Sequence, residues 1–298
     1  MARRPLDVAI VGLGNWGTSL SAALEAAAIP LREVVMRKPR RSALPVAGCP
    51  VTGWKTASLD ARVIWLCVPD SAIASVSGQI ARQCSNLTGQ IVVHSSGALT
   101  IAALETVRRA GASVASVHPA MTFPTRDIVQ LEGVFFGVET SHAPTRRLLH
   151  TVVRKLGGKP FDLESRNKAM YHAAGTLASP LLVSALTAAM EAARLAGLDE
   201  RTAQRWVQSL AEPTFRNVFS RGAANSFSGP FARGDAGTIH LHLKTLQPHP
   251  ILAEVYRALA EHAIQSLPVR NSEALAAVLQ AETGLKQTKP RRGRTATR

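Results

Sequence analysis

Cysteine is scarce in this chain: Cys49, Cys67 and Cys84 are the whole complement, and no two share a paired spacing. That excludes a disulfide framework and a zinc knuckle and predicts a reducing, cytoplasmic setting. Acidic residues are also few, 20 against 35 lysines and arginines, for a formal net charge of +15. Such an excess suggests nucleic acid, yet Lys286, Lys289, Arg291, Arg292, Arg294 and Arg298 share one terminal tail and Arg3 and Arg4 lie at the other end. Without those eight the balance is +7. The tail, residues 285–298, has no aromatic residue and no apolar periodicity. It is expected to be disordered and solvated, able at most to hold RNA or anionic lipid weakly through counterion release. No base-reading motif accompanies it.

Unbroken apolar runs of membrane length are lacking as well. Ala173–Met190 passes 18 residues without a charge, near the lower limit for a span, but Thr176, Ser179, Pro180, Ser184 and Thr187 interrupt it. A buried helix is the expectation there, and no membrane partner. The opening Met1-Ala2-Arg3-Arg4 superficially resembles a secretion signal, and Asp7 with the glycines that follow breaks the likeness. No internal repeat is visible. His240, His242 and His249 have no carboxylate cluster beside them, so no metal site is expected.

What the chain does have is 298 residues, 46% of them hydrophobic, enough for a substantial core in two domains. Its clearest feature is Asp7-Val8-Ala9-Ile10-Val11 running into Gly12-Leu13-Gly14-Asn15-Trp16-Gly17 and then an alanine-rich, helix-favouring segment. The order is buried strand, glycine turn, helix. Gly12 permits the tight turn, Gly14 lets a pyrophosphate approach the backbone, and Gly17 lets the helix pack on the strand. Free amides at the helix start attract phosphate.

The second strand, Arg32–Met36, ends without the Asp or Glu that usually holds the ribose hydroxyls of NAD. It continues Arg37-Lys38-Pro39-Arg40-Arg41 instead, where cations would pair with the extra phosphate of NADP. NADP is therefore expected over NAD, the alternatives being a solvated basic loop and a Glu33 that rotates toward the ribose. Further strands follow at 60–70, 90–97, 112–119 and 134–139, alternating with helices, which predicts a doubly wound parallel sheet. Asp70 is expected to cap the helix after Val68-Pro69. Candidate cofactor contacts are Gly12, Leu13, Gly14, Asn15, Trp16, Gly17, Arg37, Lys38, Val68, Pro69 and Asp70. After Phe161–Leu163 the pattern turns helical, over about Arg166–Leu195, Glu200–Phe219 and Ile251–Leu267, with Pro180 kinking or dividing the first and Ser228–Thr238 a glycine-rich loop. The expected domains are 1–163, 164–284 and the tail from 285.

Hydride transfer needs a proton donor or acceptor beside the reacting carbon. His118 follows a strand at the carboxyl end of the sheet, where such ligands bind, although it could equally cap the strand end. Lys168 and His172, four apart on a helix, share a face with Thr176 and Ser179, a polar stripe that suggests a wet cleft, against a solvated Lys168 at a helix start. Ser95 and Ser96 could bond a substrate or the carboxamide, or only build a turn. Arg233 could hold a substrate carboxylate with Asp235 orienting it, or Asp235 could be the N-cap of a helix near Ala236.

Several ordered motifs, GLGNWG at Gly12, CVPDSAI at Cys67, HSSGAL at His94, SVHPAMTFP at Ser116, FFGVE at Phe135, YHAAGTLAS at Tyr171 and GPFARGD at Gly229, span nearly the whole chain except the tail. Together they resemble a family of two-domain proteins in which a Rossmann-like domain precedes a helical domain of unknown function. The resemblance implies an α/β architecture, with a Rossmann doubly wound sheet followed by a mostly α-helical domain like the C-terminal domain of 6-phosphogluconate dehydrogenase. Related by architecture are 3-hydroxyisobutyrate dehydrogenase and pyrroline-5-carboxylate reductase. It further implies NADP, a site between the domains with the long helix facing the nicotinamide, and a homodimer through the helical domain. Hydroxyacid dehydrogenases carry a lysine followed three residues later by asparagine, whereas Lys168 is followed by Tyr171, a departure from that mechanism. The expectation is an NADP-dependent oxidoreductase acting on a small, anionic carbonyl or imine substrate, with His118, Lys168 and His172 handling protons and Ser95, Ser96, Ser179, Arg233 and Asp235 binding substrate. A non-catalytic NADP sensor or scaffold is the alternative.

Overall fold

The computed structural model describes residues 5–39 and 49–281, and the chain divides into two compact units, Met1–Ser179 and Pro180–Arg298. The segment expected as the first long helix, Arg166–Leu195, is shared between them, the part up to Ser179 in the first unit and the rest in the second.

Unit 1 runs β1 (Val8–Val11), α1 (Asn15–Ala26), β2 (Leu31–Val35), β3 (Val51–Thr52), β4 (Val63–Leu66), α2 (Asp70–Gln83), β5 (Ile91–His94), α3 (Glu105–Arg109), β6 (Ser113–Pro119), β7 (Phe135–Glu139), α4 (Ala143–Lys155), β8 (Lys159–Asp162) and α5 (Lys168–Ala178). The eight strands form one sheet in the order β3-β2-β1-β4-β5-β6-β7-β8. Side chains alternate across it. Val8, Ile10, Val63, Trp65, Val93 and Val117 join one core with Leu20, Leu149 and Val153 from α1 and α4. Val11, Ile64, Leu66, Val92 and Val114 join the other with Ile73, Ile80 and Val107 from α2 and α3. Burial on both faces is why these strands read as continuous apolar runs.

The sheet is not wholly parallel. β7 pairs antiparallel with β6, His118 opposite Gly137, and β8 runs parallel to β7. No helix intervenes between Pro119 and Phe135, and a parallel return would need a crossover.

Unit 2 is helical: α6 (Pro180–Leu195), α7 (Glu200–Arg221), α8 (Ala223–Ser226), α9 (Gly229–Arg233), α10 (Ala236–Leu246), α11 (Pro250–Ser266) and α12 (Ser272–Ala281). Pro180 divides the long helical segment: α5 ends at Ala178 and α6 begins at Pro180. The segment expected as a glycine-rich loop is instead α9 and the start of α10, because Gly234 ends α9 at φ +71° and Asp235 caps α10 by accepting from the Thr238 amide at 3.0 Å. The expectation of a buried helix at Ala173–Met190 is also corrected. Ser165–Leu195 contains a stretch long and apolar enough to cross a membrane, with mean hydropathy 1.5, and none of that stretch is buried. Leu177, Leu181 and Val183 are exposed among the described residues. The core of unit 2 is small, around Ile239, Leu243, Ala260, Leu275 and Leu279.

Candidate functional site

At the end of β1, Gly12 has φ +98°, and a Cβ there would sit 2.6 Å from the Cys67 carbonyl oxygen. Gly17 faces Gly12 so closely that a side chain would overlap the Gly12 carbonyl. Strand, turn and helix therefore meet only because both residues are glycine. Gly14 differs: a Cβ there meets nothing within 4 Å, and no side chain caps the α1 start. This open cradle with uncapped amides suits a pyrophosphate. Leu13 is core, and Asn15 Nδ2 donates to the Phe123 carbonyl at 2.8 Å.

Arg37 and Lys38 are exposed just beyond β2, whereas Arg40 and Arg41 lie outside the described residues. Glu33 is not free to turn toward a ribose. Its buried carboxylate accepts from Thr52 Oγ1 (3.0 Å), Ser58 Oγ (2.8 Å), the Ser58 amide (3.2 Å) and the Leu59 amide (2.5 Å). The cationic side chains thus stand beyond β2 without a competing acid from Glu33.

From the glycine turn a cleft of about 340 Å³ opens across the carboxyl ends of β4, β5 and β6. Gly14, Trp16, Val68, Pro69, Asp70, Ser95, Ser96 and His118 line it. Ser95 Oγ accepts from two indoles, Trp16 Nε1 at 2.9 Å and Trp65 Nε1 at 2.8 Å, which uses both acceptor positions and leaves its O–H to donate. Ser96 is saturated: its hydroxyl donates to Asp70 Oδ2 (2.6 Å) and accepts from the Ala98 and Leu99 amides. The expected substrate bond from Ser96 is therefore replaced by turn structure. Asp70 does not cap α2, since Pro69 is the N-cap residue and the carboxylate turns to Ser96.

His118 lies at the edge of this cleft, its Nδ1 2.8 Å from the Tyr171 hydroxyl, with the Tyr171 and His172 rings edge-on at 5.5 and 5.7 Å. A side chain at Gly97 would collide with His172 Nδ1 and lie 2.7 Å from His118 Nε2. Gly137, opposite His118, lies under Leu163 and Phe161, since a Cβ there would come within 3.2 Å of Leu163 Cδ2 and 3.3 Å of Phe161 Cζ, while Tyr171 Cζ at 3.5 Å would be in ordinary contact. Burial first, then the neighbouring His172 and Lys168, pushes the His118 pKa down to about 4. Burial raises that of Tyr171. Both groups are neutral at pH 7, so one hydrogen bond joins a neutral phenol and a neutral imidazole.

Lys168 does not face a wet cleft, nor is it solvated. Its side chain is 0% exposed, and Nζ donates to Glu139 Oε2 at 2.8 Å and to Ser116 Oγ. Burial draws its pKa down while Glu139 opposes the shift. Beside it, His94 Nδ1 accepts from the Ser96 amide at 3.1 Å, so Nε2 carries the proton toward the Thr100 carbonyl, 3.2 Å away. Burial, then Lys168, lowers the His94 pKa to about 4.

Ser179, at the C-terminus of α5, is not among the cleft-lining residues. Arg233 and Asp235 belong to unit 2, and Asp235 is committed to Thr238, its amide and its hydroxyl (2.7 Å). Sequence reasoning did not single out Tyr171, Glu139, Ser116, Trp65 or Gly97. A signal existed for Tyr171, three residues after Lys168 on the same helix, and for Gly137, a glycine inside an apolar strand.

These features define the class: a dinucleotide-binding fold of the Rossmann type joined to a helical domain. Residues 1–119 match the Rossmann-like domain family, and residues 134–263 match the domain of unknown function DUF2520. The chain is thus a Rossmann-like protein with a DUF2520 domain. No curated protein matches it. Among solved structures, protein TM1727 of Thermotoga maritima is 21% identical, with 93% of this chain and 99% of that one covered and a TM-score of 0.68. A candidate NADP oxidoreductase of Bacteroides fragilis, BF3122, is 19% identical over 86% of this chain and 97% of its own, also at 0.68. A reductive aminase of Aspergillus terreus, in complex with NADPH and ethyl-5-oxohexanoate, is 15% identical over 92% and 99%, at 0.62. At these identities the likeness is one of fold.

Proposed function

We propose that this chain is an NADP-dependent oxidoreductase that moves hydride to or from a small, anionic carbonyl or imine compound. One observation carries the reading: a neutral imidazole, His118, bonded through Nδ1 to Tyr171, stands on the same cleft as the glycine cradle. Gly14 and the uncapped start of α1 would hold the pyrophosphate, and Arg37 and Lys38 the extra phosphate. When bound, the nicotinamide supplies or receives the hydride. The chain's own residues orient and polarise. With Tyr171 donating to Nδ1, Nε2–H of His118 can donate to the substrate oxygen or nitrogen, a bond that strengthens as negative charge develops there. Ser95 offers a second donor to the same cleft. The NADPH in the fungal aminase complex, and the likeness to a candidate NADP oxidoreductase of Bacteroides fragilis, support this reading.

The test is NADPH oxidation against a panel of oxo acids, aldehydes and imines, with His118→Asn expected to lower kcat by about 10²–10⁴. Arg37→Asp should weaken NADPH by roughly tenfold or more, one charge-assisted hydrogen bond, and leave NADH nearly unchanged. Coenzyme binding without turnover on the whole panel would leave an NADP-binding protein without catalysis. Absence of binding would sink both readings. A second copy of the chain covering Leu181, Val183, Trp206, Leu210 and Phe219 would make a homodimer, measurable by sedimentation.

A further inference from the structure

We propose that Lys168 is a positioning residue rather than a proton donor to substrate: its buried ammonium, tied to Glu139 and Ser116, anchors the first turn of α5 on β6 and β7 and so holds Tyr171 and His172 against His118. The inference rests on the reading of His118 as the polarising group.

Lys168 is the first residue of α5, with Tyr171 and His172 one turn on; Ser116 and His118 are two apart on β6, side chains on one face. One helical turn advances about 5.4 Å and two strand residues about 6.6 Å, so α5 and β6 keep step. A bond between Lys168 and Ser116 at one end therefore sets the contact of Tyr171 and His172 with His118 at the other. The anchor is built for permanence. Lys168 and Glu139 are 0% and 2% exposed, and the second Glu139 oxygen accepts from Ser165 Oγ at 2.6 Å and the Ile101 amide at 3.0 Å. Ser116 Oγ donates onward to the Ser96 carbonyl at 3.3 Å, and Ser96 bonds Asp70 at the cleft wall. Lys168 itself is absent from the cleft lining.

His118 reports on the anchor. The groups acting on it are Lys168, Tyr171 and His172 from α5, His94 from β5 and Asp70 from α2; its low pKa depends first on burial, and the Tyr171 and His172 rings of α5 lie edge-on against it. The experiment is an NMR titration of the His118 imidazole in the full chain, with NADPH turnover measured alongside. Lys168→Met/Glu139→Gln leaves no buried charge unpaired; in it His118 should titrate about one unit higher or more and also lose its nuclear Overhauser contacts with the Tyr171 and His172 rings as α5 loosens, a loss that removing the Lys168 charge alone would not cause. Turnover should fall while NADPH affinity holds. Lys168→Arg keeps an anchoring cation that cannot exchange protons near neutrality, so it should preserve both the low titration and turnover. Where the bulkier side chain prevents folding, the double variant decides. If Lys168→Arg titrates like the parent yet has lost turnover, Lys168 is the proton donor and the proposal is overturned. A double variant that titrates like the parent overturns it too. The titration needs neither coenzyme nor substrate, so failure of the oxidoreductase reading is seen separately, as a parent protein that does not bind or oxidise NADPH.

Discussion

Unit 1 covers both faces of its sheet with its own helices, and its buried Asp7, Glu33, His94, Ser96, Glu139 and Lys168 have hydrogen-bond partners, whereas the buried Ser77 hydroxyl has none. Unit 2 contrasts with it. In α6 and α7 only Ala193, Ala203 and Val207 are buried, while Trp206, Leu210 and Phe219 face solvent. The difference follows from geometry. A strand's two faces take one helical layer each from the same chain, whereas a long helix has apolar positions on sides that a small bundle leaves bare. The first unit is built to hold chemistry in place; the second presents surface.

The sharpest way to break the comparison uses two glycines with the same backbone sign. Gly12 in unit 1 (φ +98°) abuts the Cys67 carbonyl, while Gly222 in unit 2 (φ +81°) has nothing within 4 Å of a built Cβ. Gly12→Ala, which adds a collision to a positive φ, should cost more than about 4 kcal/mol in chemical denaturation and abolish coenzyme binding, against about 1–3 kcal/mol for Gly222→Ala, strained at φ +81°, ψ 158° without a collision. Equal costs would mean that unit 1 is no more tightly specified than unit 2.

Acid gives a graded version. His94 and His118 hold pKa values near 4 in the folded state, below the ordinary 6.5. Between those values the unfolded chain binds protons that the folded chain does not, so stability is full above pH 6.5 and is lost as pH falls toward 4. The loss should be on the order of 3 kcal/mol per histidine at the acid limit. Fluorescence during denaturation at several pH values, in a Trp206→Phe background that leaves tryptophan only in unit 1, reads it there. A flat profile would show that both imidazoles are already charged or solvated. The smallest effect belongs to Phe219→Ser. At 87% exposure the side chain contributes little within one chain, so stability should change by under about 0.5 kcal/mol while self-association weakens.

The fold was legible where its causes are local. Gly12, Gly14 and Gly17 announce the turn because the strand, the glycines and the helix are contiguous in sequence, and Pro180 marks a break because its ring acts on the turn just before it. Gly229, Gly234 and Gly237 misled in the opposite sense: they suggest a loop, yet Gly234 is punctuation between two helices that Asp235 restarts. Strand direction was hidden, because β7 reads as an apolar run whichever way it pairs. In the site, His118 and the ends of β4 and β5 could be placed by the rule for parallel sheets, but the partners of Ser95, Ser96 and Lys168 could not. Trp65 lies 30 residues from Ser95, and Tyr171 lies 53 from His118.

By itself the sequence determined the glycine turn, the alternation that makes a sheet with helices on both sides, the basic residues after the second strand and the change to helix in the second half. These depend on backbone torsions and on periodicities that neighbouring residues set. Tertiary structure alone decided that Glu33 is committed to Thr52, Ser58 and Leu59, that Ser96 is spent on a turn, and that Lys168 is an internal ion pair while Tyr171 meets His118. A side chain's charge and hydrogen bonds take their meaning from what faces it, and for these residues most of the facing groups come from distant parts of the chain.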